Sequence, residues 1–256
     1  FCPDHLFPPG AADRPALEPF AVLAAVAALH PGLHVGTLVT RASLRPVGLL
    51  AKQAAALDHM SGGRAILGLG TGDRASAPEH EAFGIPFPPA AERIAILEET
   101  VGALRALFGG EPWVGGTHVP PITGPLLPPG RPELWIGGRS ARVIAVAARS
   151  ADAWNGWAMD PEGFEDAAAQ LRRLAGDRQV APTWGGIALV GTDASELERM
   201  RAERRVKGLS MDVWQGDRDD LRAFADRLRD AGCSWLVVLP VGGEDRIEVV
   251  ADALRG

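Results

Sequence analysis

Residues 134–155 read LWIGGRSARVIAVAARSADAWN. Leu134, Trp135 and Ile136 form an apolar run of strand type, Gly137-Gly138-Arg139-Ser140 interrupts it, and a segment with helical spacing follows at once. A second strand is expected from near Asp152 to Trp154-Asn155. Paired glycines let a backbone approach a ligand closely, and a helix N-terminus leaves N–H groups free for an anion. Two readings follow: a phosphate cradle, whose phosphate would belong to a cofactor, and a plain tight turn between strand and helix. Arg139 and Arg142 add positive charge there, although Arg142 can equally point to solvent. Trp154 is either core or pocket wall.

The same alternation extends in both directions. His34 to Thr40 has strand composition after the Pro31-Gly32 turn, and Pro46 opens a helix in which Val47, Leu50, Ala54, Leu57 and Met60 recur at helical spacing. Ser61-Gly62-Gly63 ends that helix. Ala65 to Leu69 is the next strand and runs into Gly70-Thr71-Gly72-Asp73, with a proline-rich loop expected after it. Ile94, Leu97, Val101, Leu104 and Leu107 mark a helix from about Ala91 to Phe108. Residues 109–131, rich in Gly and Pro, are too long for an ordinary connection and read as an excursion that shapes the pocket.

Beyond the opening stretch, Asp160-Pro161 starts a helix with Phe164, Ala168, Leu171 and Leu174 inward. Ile187 to Val190 is a strand, Asp193 and Glu196 resemble a capping box, a helix covers about 218–231, and Trp235 to Val241 is the last strong strand. The strands are continuous apolar runs, which implies a parallel sheet covered by helices. Six or seven such units without a topological break predict an α/β fold of the (β/α)8 TIM-barrel kind. The chain is read as one domain over residues 1–256 that lacks the barrel's first βα unit, which either lies upstream or has been removed. In a barrel the C-terminal strand ends carry the chemistry.

Composition excludes several functions. The 256 residues carry a net charge of −6, which argues against nucleic acid as a partner. Cys2 and Cys233 are too few and too isolated for a disulfide framework, and a cytoplasmic setting is expected. The apolar run from Phe20 to Leu29 is far short of a membrane span. The six histidines form neither H-x-H nor H-E-x-x-H, so no metal site is expected. Neither Lys52 nor Lys207 lies on a strand, and G-x-S-x-G is absent. A barrel with a phosphate site but no such machinery draws its reactivity most simply from an organic cofactor.

Other strand ends offer candidates of their own. Asp4-His5 is either a proton-transfer pair at the barrel mouth or a polar pair in a surface loop. Thr37 and Thr40 flank a hydrophobic pair and read as structural unless a ligand lies against them. The sequence from Gly68 to Asp73 is not G-x-G-x-x-G, so a dinucleotide fingerprint is excluded, while its glycines leave room for a planar ligand.

Together, LGLGTGD, WIGG, ADAWN, the run VGTLVTRASLRPVGLLAKQAAALDHMSGGRAILGLGTG and the stretch EHEAFGIPFPPAAERIAILEETVGALRALF resemble the luciferase-like flavin and deazaflavin oxidoreductases. The resemblance implies a TIM barrel holding a flavin or deazaflavin ring at its C-terminal mouth. It makes His5 the catalytic residue, with Asp4 beside it, and places a non-proline cis peptide at Thr37-Leu38 against the ring. Thr40 and Gly70, Thr71, Gly72 and Asp73 would line the ring or its tail. Gly137, Gly138, Arg139 and Ser140 would hold the phosphate, with Trp154 nearby. Relatives usually carry ADGWN where this chain has ADAWN, and a further βα unit before Asp4-His5. The implied activity is hydride transfer between a small organic substrate and coenzyme F420. The rivals are an FMN-dependent monooxygenase supplied by a flavin reductase, and a non-catalytic cofactor-binding homologue. A homodimer is the expected assembly, with no membrane or nucleic-acid partner.

Overall fold

A computed structural model describes residues 1–210 and 213–255. It contains two compact units, Phe1–Trp154 and Asn155–Gly256. The first holds α1 (Pro19–Leu29), β1 (Val35–Arg41), α2 (Val47–Ser61), β2 (Ala65–Gly70), α3 (Ala77–Ala82), α4 (Ala90–Phe108), β3 (Glu133–Gly137) and α5 (Ala141–Ser150). Strand β4 (Ala153–Trp157) carries the chain into the second unit. There follow α6 (Pro161–Ala175), β5 (Ala181–Val190), α7 (Ala194–Val206), β6 (Trp214–Gly216), α8 (Arg218–Asp230), β7 (Trp235–Pro240) and α9 (Asp245–Leu254). Strand β1 pairs with β2 and β2 with β3 in the first unit, and β5 pairs with β6 and with β7 in the second, all in parallel. Each unit by itself is an open parallel sheet with helices, the α/β class expected.

In the first unit the core forms where the apolar stripes meet the sheet. Leu50, Ala51, Ala54 and Leu57 of α2 and Leu97, Val101 and Leu104 of α4 are buried, as are Leu134, Trp135 and Ile136 of β3. Each large side chain so buried contributes about 1.5–3 kcal/mol. Helix α2 stops where Gly62 turns left-handed at φ 67°, and the Gly63 N–H donates to the Asp58 carbonyl. Cys2 forms a parallel bridge with Thr37, so the segment before Asp4 lies beside β1 as a strand end.

The excursion over residues 109–131 is fastened to helices. The Glu99 carboxylate of α4 accepts the backbone N–H groups of Thr117, His118 and Val119, and Asp58 of α2 accepts that of Arg131. Burial raises the Glu99 carboxyl pKa, but the three N–H donors outweigh it and the net shift is downward. The excursion therefore packs on α2 and α4, and its anchors are not at strand ends.

Several elements differ from expectation. Helix α1 spans the apolar run at Phe20, capped by Glu18, whose carboxylate accepts the Ala21 N–H. A 3-10 turn at Arg74–Ser76 and the short α3 follow Asp73 where a loop was expected, because the Asp73 carboxylate accepts the Ser76 N–H and starts the turn. Leu174, expected inward, is exposed, since α6 buries Phe164, Ala167, Ala168 and Leu171 instead. Strand β4 continues past Asn155 to Trp157. No helix among the described residues is long and apolar enough to cross a membrane.

The second unit owes one tie to charge. Glu196 bonds Arg246 at 3.0 Å and accepts the Thr192 N–H at 2.7 Å. Asp193, the α7 cap, accepts the Glu196 N–H. The Arg246 hydrogen bond, then the Thr192 bonds, hold the Glu196 carboxyl at about 2 against an ordinary 4.5. A carboxyl lowered on folding contributes stability that is complete above its unfolded pKa and is lost as pH falls through its folded one. Glu196→Gln is therefore expected to flatten the fall in melting temperature between about pH 4.5 and 2, in thermal melts at stepped pH. An acid limb as steep as that of the unsubstituted protein would show that the pair contributes nothing.

Candidate active site

Parallel pairing puts the C-terminal ends of β1, β2 and β3 on one edge of the first unit. Thr40 and Arg41 stand opposite Leu69 and Gly70, and Leu69 stands opposite Ile136, so Gly70 and Gly137 reach the edge together. The segment from Cys2 to Leu6 climbs to the same edge, since Arg41 Nη2 donates to the Asp4 carbonyl at 2.9 Å. His5, Thr40, the Gly70–Asp73 turn and the Gly137–Ser140 turn are thus brought to one rim.

His5 is held from one side. Its Nδ1 lies 2.7 Å from Glu79 Oε1, and the imidazole side chain is 32% exposed. Glu79 is fully buried, and its other oxygen accepts the Leu6 N–H at 2.7 Å and Arg41 Nη2 at 3.0 Å. Burial raises the Glu79 carboxyl pKa, yet the hydrogen bonds from His5, Leu6 and Arg41 prevail and the net shift is downward. Asp4 is buried and forms a two-pronged pair with Arg45, at 2.6 and 3.0 Å, so its carboxylate is already engaged. Arg45 also lies over the Phe20 ring at 5.3 Å.

Next to Glu79, His80 has a different part. It is buried, its Nδ1 contacts the Pro86 carbonyl at 2.9 Å, and its ring meets Phe87 edge-on. Burial pushes His80 below the usual histidine range, with Arg41 and Arg93 pushing the same way. Arg93 stacks on Phe87 at 4.1 Å and donates to the Thr71, Gly72 and Pro88 carbonyls, which fixes the Gly70–Asp73 turn.

A bulge in β1 shapes the floor of the rim. Thr37 pairs with Leu67 but Thr40 pairs with Leu69, so β1 carries one extra residue between them. The non-proline cis peptide lies within this bulge at Leu38-Val39, one bond beyond Thr37-Leu38 where it was expected. Thr37 Oγ1 donates to the Gly68 carbonyl at 2.9 Å. Val39 fills the space in front of the glycines: a Cβ built on Gly70 would sit 2.6 Å from one of its methyls, and one on Gly137 would sit 2.8 Å from another. Val39 therefore packs directly against the Cα atoms of Gly70 and Gly137. Thr40 is fully buried, and its Oγ1 has no hydrogen-bond partner among the described residues.

The turn after β3 leads directly into α5. Ser140 caps α5 by accepting the Val143 N–H, and Arg139, Ser140, Ala141 and Arg142 are exposed. The N–H groups of Ala141 and Arg142 precede the first intrahelical donor of this ten-residue helix, the Ile144 N–H on the Ser140 carbonyl, so they point out of its N-terminal end. Gly138 has φ 148°, and a Cβ there would approach Val143 Cγ1 to 2.9 Å. Trp154 is fully buried and donates from its indole N–H to the Gly138 carbonyl at 2.7 Å, so it braces this turn from the core.

Sequence reasoning brought His5, Thr40, Gly70 to Asp73 and Gly137 to Ser140 to one rim but missed Glu79 and Arg41. Arg41, a charge closing the otherwise uncharged β1, was the signal the sequence offered, whereas Glu79 stands among His80 and Glu81 in α3 and nothing local marks it.

Known proteins give this arrangement a family. The phthiodiolone/phenolphthiodiolone dimycocerosates ketoreductase of Mycobacterium tuberculosis is 33% identical over 145 residues, covering 54% of this chain and 36% of the ketoreductase. This chain thus matches about a third of that relative's length. Among solved structures, an F420-dependent secondary alcohol dehydrogenase in complex with an F420-acetone adduct superimposes with a TM-score of 0.81 at 16% identity, covering 99% of this chain and 89% of that one. A riboflavin lyase with modified FMN and riboflavin superimposes with a TM-score of 0.74 at 17% identity, over 94% and 74% of the two chains. The fold is shared with enzymes that use a deazaflavin and with enzymes that use a flavin. The family model described as luciferase-like monooxygenase matches residues 1–232, and the chain belongs to that family of oxidoreductases.

Proposed function

We propose that the chain is an F420-dependent oxidoreductase acting on a small alcohol or carbonyl compound, with His5 as its proton-transfer residue. The observation that carries this reading is the His5 imidazole: one nitrogen rests on a buried carboxylate while the ring stays a third exposed on the rim that also bears the α5 N-terminus. A buried structural histidine such as His80 shows the opposite pattern. The alcohol dehydrogenase and ketoreductase similarities point to the same substrate class.

The residues at the rim fit a phosphate-bearing cofactor. The outward N–H groups of Ala141 and Arg142, the Ser140 hydroxyl and the exposed Arg139 guanidinium form a donor set suited to a phosphate. When bound, a deazaflavin supplies a two-electron hydride acceptor or donor. His5 handles the accompanying proton. With Nδ1 on Glu79, Nε2 is the nitrogen available to take the hydroxyl proton of an alcohol or return it to the oxygen of a carbonyl. Thr71 and Gly72, held through their carbonyls by Arg93, keep the neighbouring turn in place as substrate enters.

The second reading, an FMN-dependent monooxygenase, is favoured by the family's description and by the riboflavin lyase likeness. An optical titration of the purified chain with F420 and with FMN separates the two. F420 is expected to bind with Kd near 1 μM, about −8 kcal/mol, and FMN at least tenfold more weakly. Tighter FMN binding would transfer the assignment to the monooxygenase reading, and failure of both to bind at micromolar concentration would overturn each.

A further inference from the structure

We propose that Glu79 and Arg41 are positioning residues that lock His5 as its Nδ1–H tautomer and present the Nε2 lone pair to the rim. The inference deepens the function proposed above, on which the catalytic meaning of His5 rests.

The argument begins with what each atom can do. An ionised carboxylate only accepts hydrogen bonds, so a 2.7 Å contact between Glu79 Oε1 and His5 Nδ1 places the hydrogen on Nδ1. In a neutral imidazole the other nitrogen then carries the lone pair. The assignment depends on Glu79 staying ionised, although it is fully buried. Arg41 provides for that: its guanidinium is 3% exposed and lies 3.0 Å from Glu79 Oε2. The Leu6 N–H adds a second donor on the same oxygen, and the net downward shift of the Glu79 pKa agrees.

The same ion pair also holds the backbone around His5. Arg41 Nη2 donates to the carbonyl of Asp4, the residue before it, and Glu79 Oε2 accepts the N–H of Leu6, the residue after it. His5 is therefore gripped at three points by two buried side chains from β1 and α3. Arg41 Nε and Nη1 have no partner among the described residues, so its charge is not shared with another carboxylate. The other charged and titratable groups nearby are committed elsewhere, Asp4 to Arg45 and His80 Nδ1 to the Pro86 carbonyl. A buried pair arranged only for stability would not need its second carboxylate oxygen on a partly exposed histidine. Replacing such pairs by apolar residues is often neutral or stabilising, so their retention calls for a separate reason.

Long-range 1H–15N spectra of the 15N-labelled full chain, with His5 assigned by its loss in His5→Gln, report the tautomer without any cofactor. The unsubstituted protein near neutral pH is expected to show His5 with the Nδ1–H pattern. Glu79→Gln, whose amide can donate as well as accept, is expected to lower the ratio of Nδ1–H to Nε2–H at least about tenfold. Turnover should fall by about tenfold or more, with KM within about threefold and the loss bounded by that of removing His5 itself, about 10²–10⁴-fold. Arg41→Lys, which keeps the positive charge, should keep the Nδ1–H pattern. If Glu79→Gln does not fold, the spectrum of the unsubstituted protein decides alone, because an Nε2–H pattern there overturns the proposal. A locked tautomer in a protein whose His5→Ala variant still turns over would sink the proposed function and leave the positioning intact. An inactive His5→Ala beside an Nε2–H tautomer would do the reverse.

Discussion

Replacing His5 by alanine is expected to lower turnover by about 10²–10⁴-fold while the dissociation constant of the cofactor stays within about threefold. The size follows from the usual worth of a positioned acid or base, about 3–5 kcal/mol at 1.36 kcal/mol per tenfold. The selectivity follows from placement. His5 belongs to the segment beside β1, whereas the proposed phosphate-binding features belong to the turn before α5. The fold should tolerate the change, since Glu79 keeps Arg41 and the Leu6 N–H as partners when the imidazole is gone. Melting temperature, cofactor titration and steady-state rates on an alcohol or ketone together check this. Equal losses in affinity and turnover would make His5 a binding residue. Unchanged rates would instead favour a homologue that binds cofactor without using it, and the proton-transfer role would be abandoned.

What could be read from the sequence depended on whether the cause was local. The β3–α5 unit was legible because an apolar strand, two glycines and a capping serine occupy adjacent positions, and each acts on its neighbours. Helix α4 was legible from a stripe at Leu97, Val101, Leu104 and Leu107. Helix α1 was not, because alanine and valine surround it and no stripe stands out in PFAVLAAVAAL. Strand β6 is only three residues long and leaves no alternation to detect.

The candidate site divided along the same line. Asp4-His5 and the glycine turns could be named from the sequence, but the carboxylate bonded to His5 lies 74 residues away on a short helix with Pro78 in its first turn. No spacing rule links such positions, since only the parallel pairing of β1 with β2 brings Arg41 and the start of α3 to one edge. The glycines at Gly70 and Gly137 carry a related lesson. The first was read as leaving room for a ligand and the second as allowing close approach, and in the structure Val39 from the neighbouring bulge lies against both. An absent Cβ shows that something is close and does not say what.

Gly138 differs from those two, and its replacement by alanine is expected to weaken cofactor binding by about 5- to 150-fold. Two effects act on the same atom. With φ at 148° the backbone occupies a region that L side chains rarely adopt, which adds about 1–3 kcal/mol of strain. A Cβ would also stand 2.9 Å from Val143 Cγ1 in the first turn of α5. Relief of either requires the turn to shift, and the turn is held from below by the Trp154 indole on the Gly138 carbonyl and from above by the Ser140 cap on Val143. The N–H groups proposed to meet a phosphate move with it. The double variant Gly138→Ala, Val143→Ala tells the two effects apart: it removes the contact and leaves the φ. Titration with cofactor should find the double variant regaining less than half of the lost binding free energy, because φ strain is the larger part. Full recovery would assign the loss to the Val143 contact, and undiminished affinity in Gly138→Ala itself would remove the turn before α5 from the cofactor site.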